Sequence, residues 1–175
     1  MLLSGPSGAG KSTVAGLLTS HFEPAVELHG DNFWGYIKRG WIAPWLAGSR
    51  RQNEVVMGVL ATAACGYATG GYQVICDALI GPWYLEPFRA AAAGSGVALH
   101  YVVLRPDEPT ALQRATRRTT ARALTDPEPV RFLHSQFADL GDLEPNAVDS
   151  TALSVPETVT SVLTGLAAGR FLVPG

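Results

Sequence analysis

Gly5-Pro6-Ser7-Gly8-Ala9-Gly10-Lys11-Ser12-Thr13 stands directly behind the apolar run Met1-Leu2-Leu3 and ahead of Val14, Leu17, Leu18 and Phe22, which follow at helical spacing. The stretch fits G-x-x-x-x-G-K-[ST] at every fixed position, with a strand entering and a helix leaving. Each part has a physical task. The glycines let backbone N–H groups curl around a β-phosphate, and the N-terminus of the following helix adds its positive dipole end. Lys11 can neutralise the β and γ oxygens, while Ser12 can offer its hydroxyl to Mg²⁺. A Gly-rich strand-to-helix turn with a surface lysine is the alternative. The motif points to a nucleoside triphosphate held by Gly5, Ser7, Gly8, Ala9, Gly10, Lys11, Ser12 and Thr13.

The rest of the chain bounds what such a loop can serve. At 175 residues, one domain is expected. Hydrophobic residues make up 47% and charged residues 16%, a globular balance that argues against disorder. A net charge of −2 makes no field for a polyanion, so no nucleic-acid partner is expected. No apolar run approaches the ~18 residues of a membrane span, and the start has no basic region of a secretory leader. Cys65 and Cys76 are too few and too scattered for a zinc site or a disulfide framework, and both sit in apolar segments as core thiols. A cytoplasmic protein, monomeric or homodimeric, is the expectation.

Strand and helix signals alternate, which predicts an α/β protein with a parallel sheet covered on both faces. Met1 to Ser4 is a short first strand, and a helix covers roughly residues 11 to 22. A second strand, Ala25 to Leu28, ends at His29-Gly30-Asp31. A Trp-rich segment runs from Asn32 to about Ser49. A long helix spans roughly Arg51 to Ala68, with Val56, Val59, Leu60, Ala63, Ala64 and Tyr67 on its apolar face, and Gly70-Gly71 ends it. Tyr72 to Ile75 is a third strand closing at Cys76-Asp77. A helix near Leu85 to Ala93 leads to a fourth strand, Val97 to Leu104. Asp107 caps a helix with Pro109 in its first turn, running to about Arg118. Thr119 to Leu124 reads as a loop. Thr125-Asp126-Pro127-Glu128 has capping-box spacing before a helix to about Leu140. Asn146 to Asp149 is a fifth strand, and Ser154-Val155-Pro156-Glu157 opens a final helix with Val159, Val162, Leu163, Leu166 and Ala167 inward.

Two acids stand where the chemistry of a triphosphate would need them. Asp77 ends the apolar strand Gln73-Val74-Ile75-Cys76-Asp77, from which a carboxylate can hold Mg²⁺ opposite Ser12; an Asp that merely opens a turn is the other reading. Asp31 ends the second strand, twenty positions beyond Lys11. Carboxyl ends of strands in a doubly wound sheet face the ligand crevice, so Asp31 can accept a proton from an attacking hydroxyl. A helix N-cap is the competing role for it. Arg114, Arg117, Arg118 and Arg122 crowd a helix end and the loop behind it. Arg118 and Arg122 suit the charge on a migrating phosphoryl group, and Arg117 suits stacking on a base; a solvated helix terminus would carry the same residues.

The segment after Asp31 concentrates aromatic residues. Trp34, Tyr36, Trp41 and Trp45 lie within twelve positions, beside Lys38, Arg39, Arg50 and Arg51. Such a mix can form an acceptor pocket in which rings stack on a substrate and cations anchor an acid or phosphate. It can equally be a cover packed on the core. Candidate acceptor contacts are Asp31, Trp34, Lys38, Arg51, Asn53 and Trp83, within an acceptor region of about residues 32–53. Gln52 and Asn53 can orient a polar acceptor or serve as surface caps. Trp83 and Tyr84, just past Asp77, would face the same crevice.

Taken in order along nearly the whole chain, these residues resemble the small P-loop kinases of the nucleoside-monophosphate-kinase-like group, which includes gluconate kinase, shikimate kinase and chloramphenicol phosphotransferase. Gly5 to Thr13 corresponds to the P-loop, and His29-Gly30-Asp31 to the acid-bearing end of strand two. Cys76-Asp77-Ala78-Leu79 takes the Walker B position, Arg114 to Arg122 the lid, and Asp149-Ser150-Thr151 the loop near the base. The resemblance implies a three-layer P-loop NTPase sandwich whose five-stranded parallel sheet has the order 2-3-1-4-5. It also implies ATP with Mg²⁺ and a lid, about residues 114–128, that closes over the phosphates. Departures bear on the substrate. Asn32-Phe33-Trp34 replaces the Leu-His-Pro that follows the acid in gluconate kinases, and only one of the paired acids of shikimate kinase is present, Asp31. The chain also resembles the bacterial proteins labelled AAA-family ATPases on the P-loop, without room for the small helical domain of an oligomeric motor. The expected activity is ATP-dependent transfer of the γ-phosphate to a hydroxyl of a small molecule, with Lys11, Asp31, Arg118 and Arg122 catalytic. A nucleotide-dependent binding switch with slow hydrolysis is the alternative class, and it needs no base at Asp31.

Overall fold

The computed structural model describes residues 1–117 and 124–173. Five strands, β1 (Leu2–Ser4), β2 (Ala25–His29), β3 (Gln73–Asp77), β4 (Tyr101–Leu104) and β5 (Ala147–Val148), form one sheet of order β2-β3-β1-β4-β5. Every pairing is parallel. The connections carry helices α1 (Lys11–Thr19), α2 (Gly30–Gly35), α3 (Arg50–Thr69), α4 (Glu86–Ser95), α5 (Glu108–Thr116) and α6 (Pro127–Ser135), and α7 (Val155–Ala167) follows β5. The sheet order and the layering are those implied by the resemblance.

The central strands read as unbroken apolar runs because both sheet faces are covered. Successive residues point to opposite faces. Leu2, Cys76, Tyr101 and Val103 therefore pack with Val56, Met57 and Leu60 of α3 and Phe88 of α4. Leu3, Ile75, Val102 and Leu104 pack with Val14 and Leu18 of α1 and Val159 and Val162 of α7. Cys76 is fully buried, which pushes its thiol up to about 12, so it stays protonated. Cys65 is only half-buried, and both cysteines are free.

Several local expectations are corrected. The buried stripe of α3 is Asn53, Val56, Met57, Leu60, Ala61 and Ala64, whereas Val59 and Tyr67 are exposed. Tyr67 instead meets Tyr72 edge-on, ring centroids 6.0 Å apart. Val97 donates to Ala92 O at the end of α4, so β4 starts only at Tyr101. The capping box predicted at Thr125 does not form: Asp126 is the N-cap, its carboxylate accepting from Glu128 N at 3.1 Å, because Pro127 takes the first helical position. The box at Ser154 is present, with Glu157 Oε2 accepting from Ser154 N at 2.8 Å, but Ala167 in the helix it opens is exposed.

Candidate functional site

The carboxyl ends of β1, β2 and β3 open on one side of the sheet, and their loops line a cleft of about 870 Å³. Residues 5–10 make the turn from β1 into α1, with Gly10 as N-cap in the left-handed region and Lys11 to Thr13 in the first helical turn. Lys11 Nζ donates to Gly5 O at 2.9 Å and Pro6 O at 3.0 Å, so its ammonium lies over the loop. Ser7, Lys11 and Ser12 line the cleft.

Asp77 is buried at the end of β3 and is the hub of the site. Ser12 Oγ donates to its Oδ2 at 2.5 Å, and His29 Nδ1 lies 2.8 Å from its Oδ1. A carboxylate only accepts, so the Nδ1 proton sits on the imidazole. The register of β2 on β3 sets His29 directly opposite Asp77. Two residues back on the same face of β2, Glu27 Oε1 lies 3.4 Å from His29 Nε2. The ligand atoms of Glu27, His29 and Asp77 fall within 4.8 Å of one another. Sequence reasoning does not single out Glu27 or His29; an acid and a histidine two apart on a strand is the signal, but only the register brings them to Asp77. The hydroxyl of Ser12 and the carboxylate of Asp77 are hard oxygen donors, the chemistry that Mg²⁺ takes. We predict that His29→Ala raises the Mg²⁺ concentration for half-maximal activity about tenfold, as loss of a ligand's hydrogen-bond partner does, while His29→Asn, which keeps an N–H donor, restores most of it. A Mg²⁺ titration identical for the wild type and both variants contradicts this role.

Asp31 stands in the first turn of α2, where Gly30 is already helical and His29 is the N-cap, so the competing cap role is not the one Asp31 plays. It is exposed on the cleft it shares with Lys11, Ser12 and Asp77. Trp34, Lys38, Asn53 and Trp83 line the same cleft. Arg51 does not. It is 87% exposed at the head of α3, 3.9 Å from Glu54. Asn53 is buried with its amide committed: Oδ1 accepts from Trp34 Nε1 at 2.9 Å, and Nδ2 donates to Pro44 O at 2.8 Å and Ser49 Oγ at 3.0 Å. Gln52 clamps the same loop by exchanging hydrogen bonds with the backbone of Ile42 at 2.7 and 2.8 Å. Both therefore shape the aromatic wall instead of capping a surface helix.

Arg117 is the exposed C-cap residue of α5, and Arg118 and Arg122 lie outside the described residues. Arg114 Nη2 reaches Ser150 O at 3.5 Å. In the neighbouring loop Asp149 accepts from Thr151 N at 2.9 Å and Thr151 Oγ1 at 2.6 Å, bonds that hold its carboxyl below the usual range. Past the expected lid, Phe132 and Leu133 of α6 line the cleft, and Arg131 ties α6 to Glu108 of α5 at 3.3 Å.

Fold and site together define a P-loop kinase-like protein. The family described as AAA domain (AAA_33) matches residues 1–138, and the chain belongs to it. No curated protein sequence matches the chain. Among solved structures it is similar to a tunicamycin resistance protein of Deinococcus radiodurans, at 14% identity and a TM-score of 0.69, covering 100% of this chain and 98% of that one. A sugar kinase from Janibacter sp. shares 20% identity at a TM-score of 0.68, with 97% and 94% covered. A gluconokinase from Sinorhizobium meliloti shares 22% at 0.64, with 97% and 91% covered. At these identities the likeness is one of fold. Among the described residues no helix is long and apolar enough to cross a membrane.

Proposed function

We propose that this chain is an ATP-dependent phosphotransferase that moves the γ-phosphate to a hydroxyl of a small molecule. The observation that carries the reading is the position of Asp31, which shares one cleft with the P-loop lysine and the Ser12–Asp77 pair. Lys11 and the backbone N–H groups of the loop hold the β and γ oxygens. Ser12 and Asp77 would hold Mg²⁺, which when bound neutralises charge on those oxygens. Asp31 accepts the proton of the acceptor hydroxyl as its oxygen bonds to the γ-phosphorus and the bond to the β–γ bridging oxygen breaks, releasing ADP. On sequence grounds Arg118 and Arg122 of the lid supply positive charge to the transferring group, and Arg117 contacts the base. The likeness to sugar and gluconate kinases supports a hydroxyl acceptor, and the two free cysteines support work in the reducing cytoplasm.

The test is ADP release from ATP·Mg²⁺ across pools of sugars, cyclitols, nucleosides and hydroxylated antibiotics, for wild type and Asp31→Asn. Stimulation by one pool, lost in the variant, is the expected result. Tight nucleotide binding with no stimulation by any pool would identify a binding switch instead. Lys11→Ala is expected to weaken ATP affinity about 10–100-fold, the worth of one charge-assisted contact to a phosphate. Isothermal titration checks this, and an unchanged affinity contradicts the role of the loop.

A further inference from the structure

All four tryptophans of the chain, Trp34, Trp41, Trp45 and Trp83, line the cleft that holds Asp31. If these rings served only to pack the cover they would be buried. Trp34 alone is; Trp83 is 47% exposed, and Tyr36 and Phe132, which line the same cleft, are 68% and 57% exposed. The exposed faces are held in place. Trp83 lies on Gly81, where a Cβ would come within 2.2 Å of the indole, and its ring meets Phe137 at 5.8 Å. The loop bearing Trp41 and Trp45 is fixed from beneath by Gln52 and Asn53. Rigid, half-exposed rings contribute stacking surface with little ordering cost.

Charge in the cleft is sparse. Among the described residues that line it there are two cations, Lys11 and Lys38, and two carboxylates, Asp31 and Asp77. Lys11 and Asp77 belong to the phosphate end, which leaves Asp31 and Lys38 for the acceptor. Lys38 is exposed and donates to Gly35 O at 2.8 Å. No arginine is among those residues, and Arg50 and Arg51, expected as anchors, turn to Glu54. An acceptor bearing a carboxylate or phosphate would be recognised by a guanidinium fork or a cluster of cations, which the described residues of this wall do not offer.

We infer that the acceptor is an uncharged hydroxyl compound built on an apolar or aromatic ring system, stacked against Trp83 and the tryptophan loop with its hydroxyl at Asp31. This rests on the phosphotransferase reading and narrows it. A cleft of about 870 Å³ takes such a compound as well as the phosphate end of a nucleotide.

Because every tryptophan lines the cleft, intrinsic fluorescence reports occupancy whether or not transfer follows. The experiment titrates the ATP·Mg²⁺-loaded protein with matched pairs that differ in charge: 4-nitrophenyl glucoside against 4-nitrophenyl glucuronide, thymidine against thymidine monophosphate, and a neutral macrolactone against its carboxylated derivative. ADP release is followed in parallel. At least one neutral member is expected to bind about tenfold or more tightly than its anionic partner. Trp83→Ala is expected to weaken that binding at least about tenfold and Trp83→Phe much less. Preference for the anionic members, binding by neither member of every pair, or an unchanged affinity in Trp83→Ala overturns the inference. ADP release driven by an anionic acceptor leaves the phosphotransferase reading standing. Neutral ligands that bind without any ADP release leave the inference standing and remove that reading.

Discussion

Asp31→Asn is expected to lower acceptor-stimulated turnover about 10²–10⁴-fold while ATP affinity stays within about twofold of wild type. The substitution is nearly isosteric and removes the negative charge together with the capacity to take a proton. The Asp31 side chain is exposed and is not the cap of α2, so stability should stay within about 0.5 kcal/mol of wild type. That exposure makes the variant a clean probe. The Ser12–Asp77–His29 chain and the bonds from Lys11 to Gly5 O and Pro6 O involve none of its atoms. The measurement pairs isothermal titration with ATP·Mg²⁺ and steady-state ADP release with the best acceptor. A variant that binds ATP and turns over at the wild-type rate would sink the assignment of Asp31 as base.

How much of the fold and the site is legible in the sequence depends on where each residue's information lies. Asp77 ends a short apolar strand, while the P-loop and Asp31 follow one within a few residues, and the end of a strand is a local signal; all three line one cleft. The sheet order is not local, since nothing in β4 or β5 says which strand it joins, and the family resemblance supplies it. His29 does end β2, but nothing local ties it or Glu27 to Asp77, because that juxtaposition depends on the register of β2 on β3. Arg51 and Asn53 depart from expectation for a different reason. Hydropathy sets the expected phase of α3, and it ranks Val59 and Tyr67 above Asn53. The structure turns the helix so that Asn53 is inside, where three hydrogen bonds satisfy it, and Arg51 faces solvent. A buried polar residue that organises a loop is invisible to a scale that scores side chains one at a time.

Gly8→Ala is the second substitution expected to have a large effect, and Gly10→Ala is its control. Both glycines adopt left-handed backbone, φ +84° for Gly8 and +87° for Gly10, which an L side chain enters at roughly 1–2 kcal/mol. Their surroundings differ. A Cβ on Gly10 meets nothing within 4 Å, whereas one on Gly8 would sit 2.0 Å from the carbonyl oxygen of Ala111 in α5. Backbone cannot yield as a flexible side chain does, so the loop or the helix must shift, adding an overpacking cost of about 1–3 kcal/mol. Summed, Gly8→Ala should lower Tm by roughly 4–20 °C and Gly10→Ala by roughly 2–8 °C, for a chain of this size. The functional split should be wider. A shifted loop no longer aims its N–H groups at one phosphate, and a displacement of about 1 Å can cost 10²-fold. Thermal melts with and without ATP·Mg²⁺ separate the two terms, because ligand stabilisation reports affinity for the folded state alone. Gly10→Ala should keep most of the nucleotide-induced rise, and Gly8→Ala should lose it. If Gly8→Ala melted with the wild type and kept the rise, the contact between the loop and α5 would not set the phosphate site.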